Sequence, residues 1–261
     1  MKLITATVVA LTGLGLCATP IARAAGDPFV GHWKQNPNKS VFAGLSYTVR
    51  DAGNGNYSFV FGDDVETLTL GKDHLTKFGD TWLISAAGPN AWRWVTKRNG
   101  KISSDATWTV SKDGATSIYS SSEMRPDGST SRDQSKLKRT TAGASGLVGT
   151  WVSTSTTIGS PVSMEMAPWE NGYSMRTPAY QAQTDFKLDG KAYTPRGPRV
   201  AKGTTVSGKK IDDHNFQLTY RLNGKVNQTS RWMVSPNGKS VTATNSYPGE
   251  SKAQVDAYDR R

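Results

Sequence analysis

The chain has 261 residues, a single cysteine, and 32 Lys and Arg against 21 Asp and Glu, which gives a formal net charge of +11. One cysteine excludes an intramolecular disulfide framework, so packed cores must stabilise the fold. This length fits one large β domain or two small domains. The positive charge favours an anionic small molecule or polymer as a partner, with a simple basic surface as the alternative.

The first element is a predicted secretory signal peptide over residues 1–24. Lys2 precedes an uncharged apolar stretch, residues 3–16, and Ala22-Arg23-Ala24 supplies the small residues that signal peptidase requires. The apolar stretch is too short for a permanent membrane anchor, and we expect no transmembrane segment. Cys17 also permits a lipoprotein, although Leu16 stands where that motif needs a small residue. We therefore predict export to the periplasm or the medium.

The rest of the chain is an internal repeat. Four motifs recur in the same order: Val30-Gly31-His32-Trp33 as Val148-Gly149-Thr150-Trp151, Asn56-Tyr57-Ser58 as Gly172-Tyr173-Ser174, Asn99-Gly100-Lys101 as Asn223-Gly224-Lys225, and residues 108–114 as residues 232–238. A segment of small residues, 140–146, separates them. We predict repeat 1 over residues 25–142 and repeat 2 over residues 147–261.

Turn chemistry predicts that both repeats are all-β. Asn-Gly or Asp-Gly pairs, which accept the backbone angles of tight hairpins, begin at positions 54, 99, 113, 127, 171, 189, 223 and 237. Apolar and polar residues alternate over residues 216–222, which indicates a strand with one buried face. The fold class that follows is two tandem antiparallel β-barrels, with one interleaved sheet as the alternative.

The Gly-x-Trp motif on the first strand, together with a basic residue at the end of the last strand, resembles the lipocalin and calycin pattern. In that family the cation stacks on the tryptophan at the closed end of the barrel. The resemblance implies these pairs: Trp33 with Arg139 or Lys138, and Trp151 with Arg260 or Arg261. It also implies that each repeat is a lipocalin-like barrel.

Residues 27–40 are similar to the opening of a widespread family of small secreted bacterial proteins, which are themselves predicted lipocalin-like barrels. Residues 189–195 and the segment 232–239 resemble later parts of the same family. The family offers no general function and no catalytic residues that could be transferred to this chain.

Aromatic and basic side chains are the candidate ligand-binding groups. A small barrel either fills its interior or holds one ligand. In repeat 1 the candidates are Trp92, Trp94 and Trp108, and their counterparts in repeat 2 are Phe216 and Trp232; the alternative is that all five fill the core. Residues 187–210 form a basic segment with the turn formers expected of a long loop. Its Arg196 and Arg199 are candidates for holding an anionic end of a ligand.

Evidence for catalysis in the sequence is sparse. His214 follows Asp213, and a carboxylate beside a histidine can form a general base, although a solvated turn residue is the alternative. No His-x-His or His-Glu-x-x-His spacing occurs, and the Ser-x-x-Lys match at residues 207–210 is expected by chance in a chain rich in serine and lysine. We therefore expect no metal and no cofactor.

Three functions stay open from the sequence. The first is an exported binding or carrier protein for a hydrophobic or amphipathic small molecule, with or without an anionic end. The second is a calycin-type enzyme, a lyase, isomerase or hydratase, acting in the barrel cavity. The third is an interaction or scaffold module of the cell envelope that binds an anionic polymer. The sequence leaves the oligomeric state open, and fold alone does not choose among the three.

Overall fold

A computed structural model describes residues 26–261, so the predicted signal peptide lies outside the described residues. The described chain is all-β, as predicted: twenty strands and one short 3-10 turn, Pro178–Tyr180. The strands form two antiparallel ten-stranded sheets, and each sheet is nearly closed into a barrel.

Each barrel takes nine strands from one repeat and one from the other. Barrel 1 contains β2 (Ser46–Gly53), β3 (Asn56–Phe61), β4 (Asp64–Thr69), β5 (Asp73–Leu75), β6 (Thr81–Gly88), β7 (Ala91–Arg98), β8 (Lys101–Val110), β9 (Thr116–Met124), β10 (Thr130–Arg139) and β11 (Gly149–Ile158). Barrel 2 contains β1 (Gly31–Gln35), β12 (Ser163–Trp169), β13 (Gly172–Thr177), β14 (Ala182–Lys187), β15 (Asp189–Tyr193), β16 (Thr204–Asp212), β17 (Asn215–Leu222), β18 (Lys225–Val234), β19 (Ser240–Ser246) and β20 (Gln254–Arg260).

The first strands of the two repeats are thus exchanged. Strand β1 lies between β12 and β20, where Trp33 faces Met164 on one side and Arg260 on the other. Strand β11 lies between β2 and β10, where Trp151 faces Tyr47 on one side and Arg139 on the other. The barrels therefore do not follow the boundary between the repeats, although each repeat supplies most of one barrel.

The exchange changes the partners of the two tryptophans, so the pairs expected within a repeat are wrong: Arg139 or Lys138 for Trp33, and Arg260 or Arg261 for Trp151. The guanidinium of Arg260 lies 4.2 Å from the centroid of the Trp33 ring, and that of Arg139 lies 4.3 Å from Trp151. The physical reason is that each Gly-x-Trp strand crosses into the other barrel and meets the last strand there. The stacking itself occurs in both barrels, as the pattern predicts.

The turn pairs lie where the sequence places them, with one exception. Asn54, Asn99 and Asn223 have positive φ, as do the glycines that follow them, which is the conformation of a tight hairpin turn. Asp189 instead begins β15, at an irregular pairing with β16. The exception arises at the seam of barrel 2, because no ladder pairs β14 with β15.

Local contacts cover the seams of both barrels. In barrel 1, buried Glu66 on β4 lies 2.8 Å from His74 Nε2 on β5 and also accepts the backbone N–H of Lys77 at 3.1 Å. In barrel 2, Gln183 and Arg196 exchange backbone hydrogen bonds of 2.8 and 2.7 Å. These contacts shield edge groups that an open sheet would expose.

One hairpin of each barrel also contacts the other barrel. The hairpin between β19 and β20 lies on the β3–β4 turn of barrel 1, where Asp63 N–H donates to Pro248 O at 3.0 Å. The hairpin between β9 and β10 lies on the 3-10 turn of barrel 2, where Gln181 Nε2 donates to Pro126 O at 3.0 Å. Each repeat therefore gives the opposite barrel both a strand and a hairpin.

Candidate functional site

The interior of barrel 1 contains a cavity of about 290 Å³ that is partly open to solvent. Six of its nine lining residues are aromatic, and none is charged; the lining is Tyr47, Phe61, Trp82, Trp94, Thr96, Trp108, Tyr119, Ser135 and Leu137. Binding pockets are typically concave and mostly apolar, with a few polar groups that orient the ligand. The cavity has this character at the small end of the usual range.

The period of two along the strands brings these rings together. The aromatic rings contact one another edge to face around the cavity: Trp82 and Trp94 have centroids 4.8 Å apart, and Trp94 and Tyr119 have centroids 6.2 Å apart. Tyr119 also lies 6.0 Å from Trp108. Trp82 and Tyr119 point inward yet are only half-buried, because the cavity leaves part of each ring uncovered.

Three hydroxyls remain available in the cavity. Within the described residues, the side chains of Tyr47, Thr96 and Tyr119 make no hydrogen bond. The two tyrosines have shifted pKa values. Burial raises the pKa of Tyr119, and nearby Tyr47 adds to the effect; burial and Glu250 likewise raise the pKa of Tyr47. Both groups therefore stay protonated at neutral pH and can donate a hydrogen bond to a ligand. Ser135 is already bonded to Thr156 at 2.9 Å.

The equivalent region of barrel 2 is packed differently. Strand register places Ala243 where barrel 1 has Tyr119, Leu218 where it has Trp94, and Val206 where it has Trp82. Leu218 and Val206 are both 0% exposed. These smaller side chains are fully covered, whereas the aromatic side chains of barrel 1 surround a cavity.

The five aromatic candidates fall into three places. Trp94 and Trp108 line the cavity. Trp92 is half-buried in the same barrel beside Gly146, in the segment between the repeats. Phe216 and Trp232 lie in the core of barrel 2, where their rings stack with centroids 6.0 Å apart. Ligand contact through Trp92, Phe216 and Trp232 stays a prediction.

The two arginines of the basic segment lie on the outside of barrel 2. Arg196 forms an ion pair with Asp185. Arg199 forms one with Glu123 on β9 and also lies 5.5 Å from the Tyr180 ring. Both cations already have carboxylate partners, and Arg199 joins the two barrels. Their role in holding an anionic ligand stays a prediction.

The catalytic candidates lie on the hairpin between β16 and β17. His214 and Asp213 are exposed and border a broad depression of about 730 Å³ at one end of barrel 2. The Asp213 carboxylate bonds Lys210, which lowers the pKa of Asp213. The His214 backbone N–H donates to Asp212 at 2.8 Å, and no hydrogen bond joins the side chains of His214 and Asp213 within residues 26–261. A catalytic role for this pair stays a prediction.

A cluster of hydrogen bonds surrounds Asp256 in barrel 2. Asp256 accepts hydrogen bonds from Gln35 at 3.2 Å, from Asn245 at 2.8 Å and from Gln254 at 3.0 Å. Burial nevertheless raises its pKa, because the desolvation of the carboxylate outweighs these bonds. The cluster satisfies a buried carboxyl and joins exchanged strand β1 to β19 and β20.

Sequence reasoning missed four of the six aromatic residues that line the cavity: Tyr47, Phe61, Trp82 and Tyr119. Tyr119 lies in a serine-rich strand, which conceals its importance, yet it faces Trp108 directly in the register of β8 and β9. Tyr47 faces Trp151, which only the strand exchange brings into barrel 1. The signal for Tyr119 was thus in the alternation of β9, but the signal for Tyr47 was not local.

Within the described part of the chain, no helix has the length and apolar character needed to cross a membrane. Across residues 26–261, no three His, Cys, Asp or Glu side chains are grouped in a way that could hold a metal ion. No family model, no curated protein and no solved structure matches this chain.

Proposed function

We propose that this protein is an exported binding or carrier protein, and that it holds one small, flat, mainly apolar molecule in the aromatic cavity of barrel 1. The observation that carries the proposal is the cavity itself: six aromatic residues surround about 290 Å³, and two tyrosine hydroxyls there lack partners. A protonated hydroxyl without a protein partner can donate a hydrogen bond, so these groups suit a ligand with a hydrogen-bond acceptor.

The size of the cavity limits the ligand. An apolar cavity of about 150 Å³ in another protein is large enough to bind benzene. A cavity of about 290 Å³ has roughly twice that space, which suits a molecule of two or three fused rings. Because no charged residue lines the cavity, the part of the ligand inside it is uncharged.

We further infer a lipocalin-like relationship for both barrels. The support is the arginine stacked on the Gly-x-Trp tryptophan of each barrel, Arg139 on Trp151 and Arg260 on Trp33. Carriage of a small apolar molecule inside a barrel agrees with that relationship, although the same fold accommodates other functions.

The test is a titration of the mature protein with naphthalene and with naphthol, in which binding is measured by tryptophan fluorescence and by calorimetry. We expect both probes to bind with a stoichiometry of one. Tyr119→Phe removes a hydroxyl but keeps the ring, and it should weaken naphthol roughly two- to tenfold, the value of one ordinary hydrogen bond, without weakening naphthalene. Tyr258→Phe, the matched control in barrel 2, should change neither affinity.

A second variant fills the cavity. Thr96→Tyr introduces the side chain that barrel 2 carries at the equivalent position, Tyr220. This variant should fold and should lose binding of both probes. Absence of binding to the wild-type protein, or undiminished binding to Thr96→Tyr, would contradict the proposal.

A further inference from the structure

A crevice between the two barrels adjoins the aromatic cavity. The crevice has a volume of about 240 Å³ and shares two lining residues with the cavity, Tyr47 and Phe61. These two rings meet edge to face with centroids 5.1 Å apart. The cavity and the crevice therefore lie on either side of this pair of aromatic rings.

Repeat 2 builds the outer wall of this crevice. The hairpin between β19 and β20 is held on barrel 1 by Glu250, whose carboxylate accepts the N–H groups of Ser46 and Gly62, both at 3.1 Å. Tyr247 and Asn227 of repeat 2 line the crevice opposite Tyr47. A ligand that extends out of the cavity would therefore contact both repeats.

The crevice contains acceptors and donors that lack partners within residues 26–261, and the donors are the Lys225 ammonium group and the Tyr247 hydroxyl. Asn227 Oδ1 is buried and has no hydrogen-bond partner. Asp63 has no ion pair and no side-chain hydrogen bond within the described residues, whereas Asp64 is paired with Lys77 and Glu250 is held by backbone donors. The buried Asn227 oxygen without a partner favours a donor on the ligand, and the exposed Asp63 carboxylate is free to pair with a cation.

The charge of the crevice points the same way. Its lining contains three carboxylates and one ammonium group, that of Lys225, in a chain whose formal net charge is +11. A locally acidic crevice on a basic protein disfavours an anionic group and favours a cationic one.

We infer that the crevice receives a protonated amine on the same molecule whose rings lie in the cavity, so that the ligand is an aromatic amine with a short linker. The inference rests on the proposed function, because the rings must bind in barrel 1. It differs from the expectation of an anionic end, which rested on the net positive charge and on Arg196 and Arg199.

The test uses three probes with one ring system and different head groups: naphthylmethylamine, naphthylmethanol and naphthoic acid, which at neutral pH are cationic, neutral and anionic. The amine should bind about tenfold tighter than the alcohol, since a charge-assisted hydrogen bond replaces a neutral one. The carboxylate should bind more weakly than either.

Asp63→Asn should reduce the preference for the amine over the alcohol at least about threefold, and it should leave alcohol binding unchanged. Asp213→Asn removes an exposed carboxylate on the far hairpin of barrel 2 and serves as the matched control, with no expected effect.

The outcomes separate the two proposals. If the alcohol binds and the amine binds no tighter, or if the carboxylate binds best, the inference about the head group is wrong and the cavity proposal stands. If none of the three probes binds the folded protein, the proposed function is wrong and the inference fails with it.

Discussion

Trp33→Ala is expected to destabilise barrel 2 and to leave barrel 1 folded, although Trp33 belongs to the first repeat. The Trp33 side chain is 0% exposed, its Nε1 donates to Phe29 O at 2.9 Å, and Arg260 covers its ring. Truncating a buried tryptophan costs about 3–5 kcal/mol. The lost hydrogen bond adds about 1 kcal/mol and the lost cation–π contact about 0.5–1 kcal/mol.

Residue-resolved hydrogen exchange under native conditions measures this loss separately in each barrel. A cost of about 5 kcal/mol corresponds to a loss of protection of roughly 4,000-fold in β17 to β20, while β6 to β9 should keep their protection. Trp151→Ala is the reciprocal control and should affect β6 to β9 instead. Trp33→Phe, which keeps an aromatic ring, should reduce the protection of the same strands as Trp33→Ala but by a smaller factor.

Two results would refute this reasoning. Loss of protection in β6 to β9 with β17 to β20 spared would mean that the first strands are not exchanged. Equal loss in both barrels would mean that they unfold as a single unit, and the energy could then not be assigned to one sheet.

Three further predictions concern single side chains. Ser117→Ala leaves buried Trp108 Nε1 without the acceptor it now has at 2.9 Å, and it should lower the free energy of unfolding in urea by about 1–3 kcal/mol. Glu250→Ala removes the acceptor for two backbone N–H groups and should cost about 1–3 kcal/mol in the same assay. Burial raises the pKa of Asp256 in the folded protein above its unfolded value of 3.8. The protonated carboxyl therefore stabilises the fold fully at a pH below 3.8, and this stability is lost as the pH rises through the pKa of the folded state. The free energy of unfolding in urea of Asp256→Asn, relative to that of the wild type, should therefore be higher at about pH 7 than at about pH 3.5. The opposite order would contradict the raised pKa.

Local sequence chemistry predicted the hairpins well. At Asn99 and Asn223 the backbone needs positive φ, and an asparagine followed by glycine supplies it within two residues. The decision between strand and helix was equally local, since side-chain alternation is read over a few residues. All of these features depend on interactions between neighbours in the chain.

The strand exchange could not be predicted in this way. Both repeats carry Gly-x-Trp on the first strand and an arginine at the end of the last strand, so Trp33 fits against Arg139 or Arg260 with the same contacts. The choice depends on how the segments after β1 and before β11 run, and on the hairpins that cross between barrels. Those segments have no periodic signal that sequence reasoning can use.

The cavity was also only partly predictable. Alternation placed Trp94 and Trp108 on the inner face, but an inward aromatic ring can fill a barrel or surround a space. The difference between Trp94 and its equivalent Leu218 does not reveal which occurs, because the larger side chain lines the cavity and the smaller one is fully covered. Whether the rings fill the barrel or surround a cavity depends on how they pack against one another in three dimensions.

The exchange makes the candidate site depend on both repeats. Repeat 2 supplies Trp151, which packs 6.0 Å from Trp108 within barrel 1, and it supplies Glu250, which holds the hairpin over the crevice beside Tyr47. Repeat 1 alone would lack one strand of the barrel wall and the outer wall of the crevice. The candidate site of barrel 1 is therefore built by both repeats, because the exchange places Trp151 and Glu250 of repeat 2 beside the residues that line it.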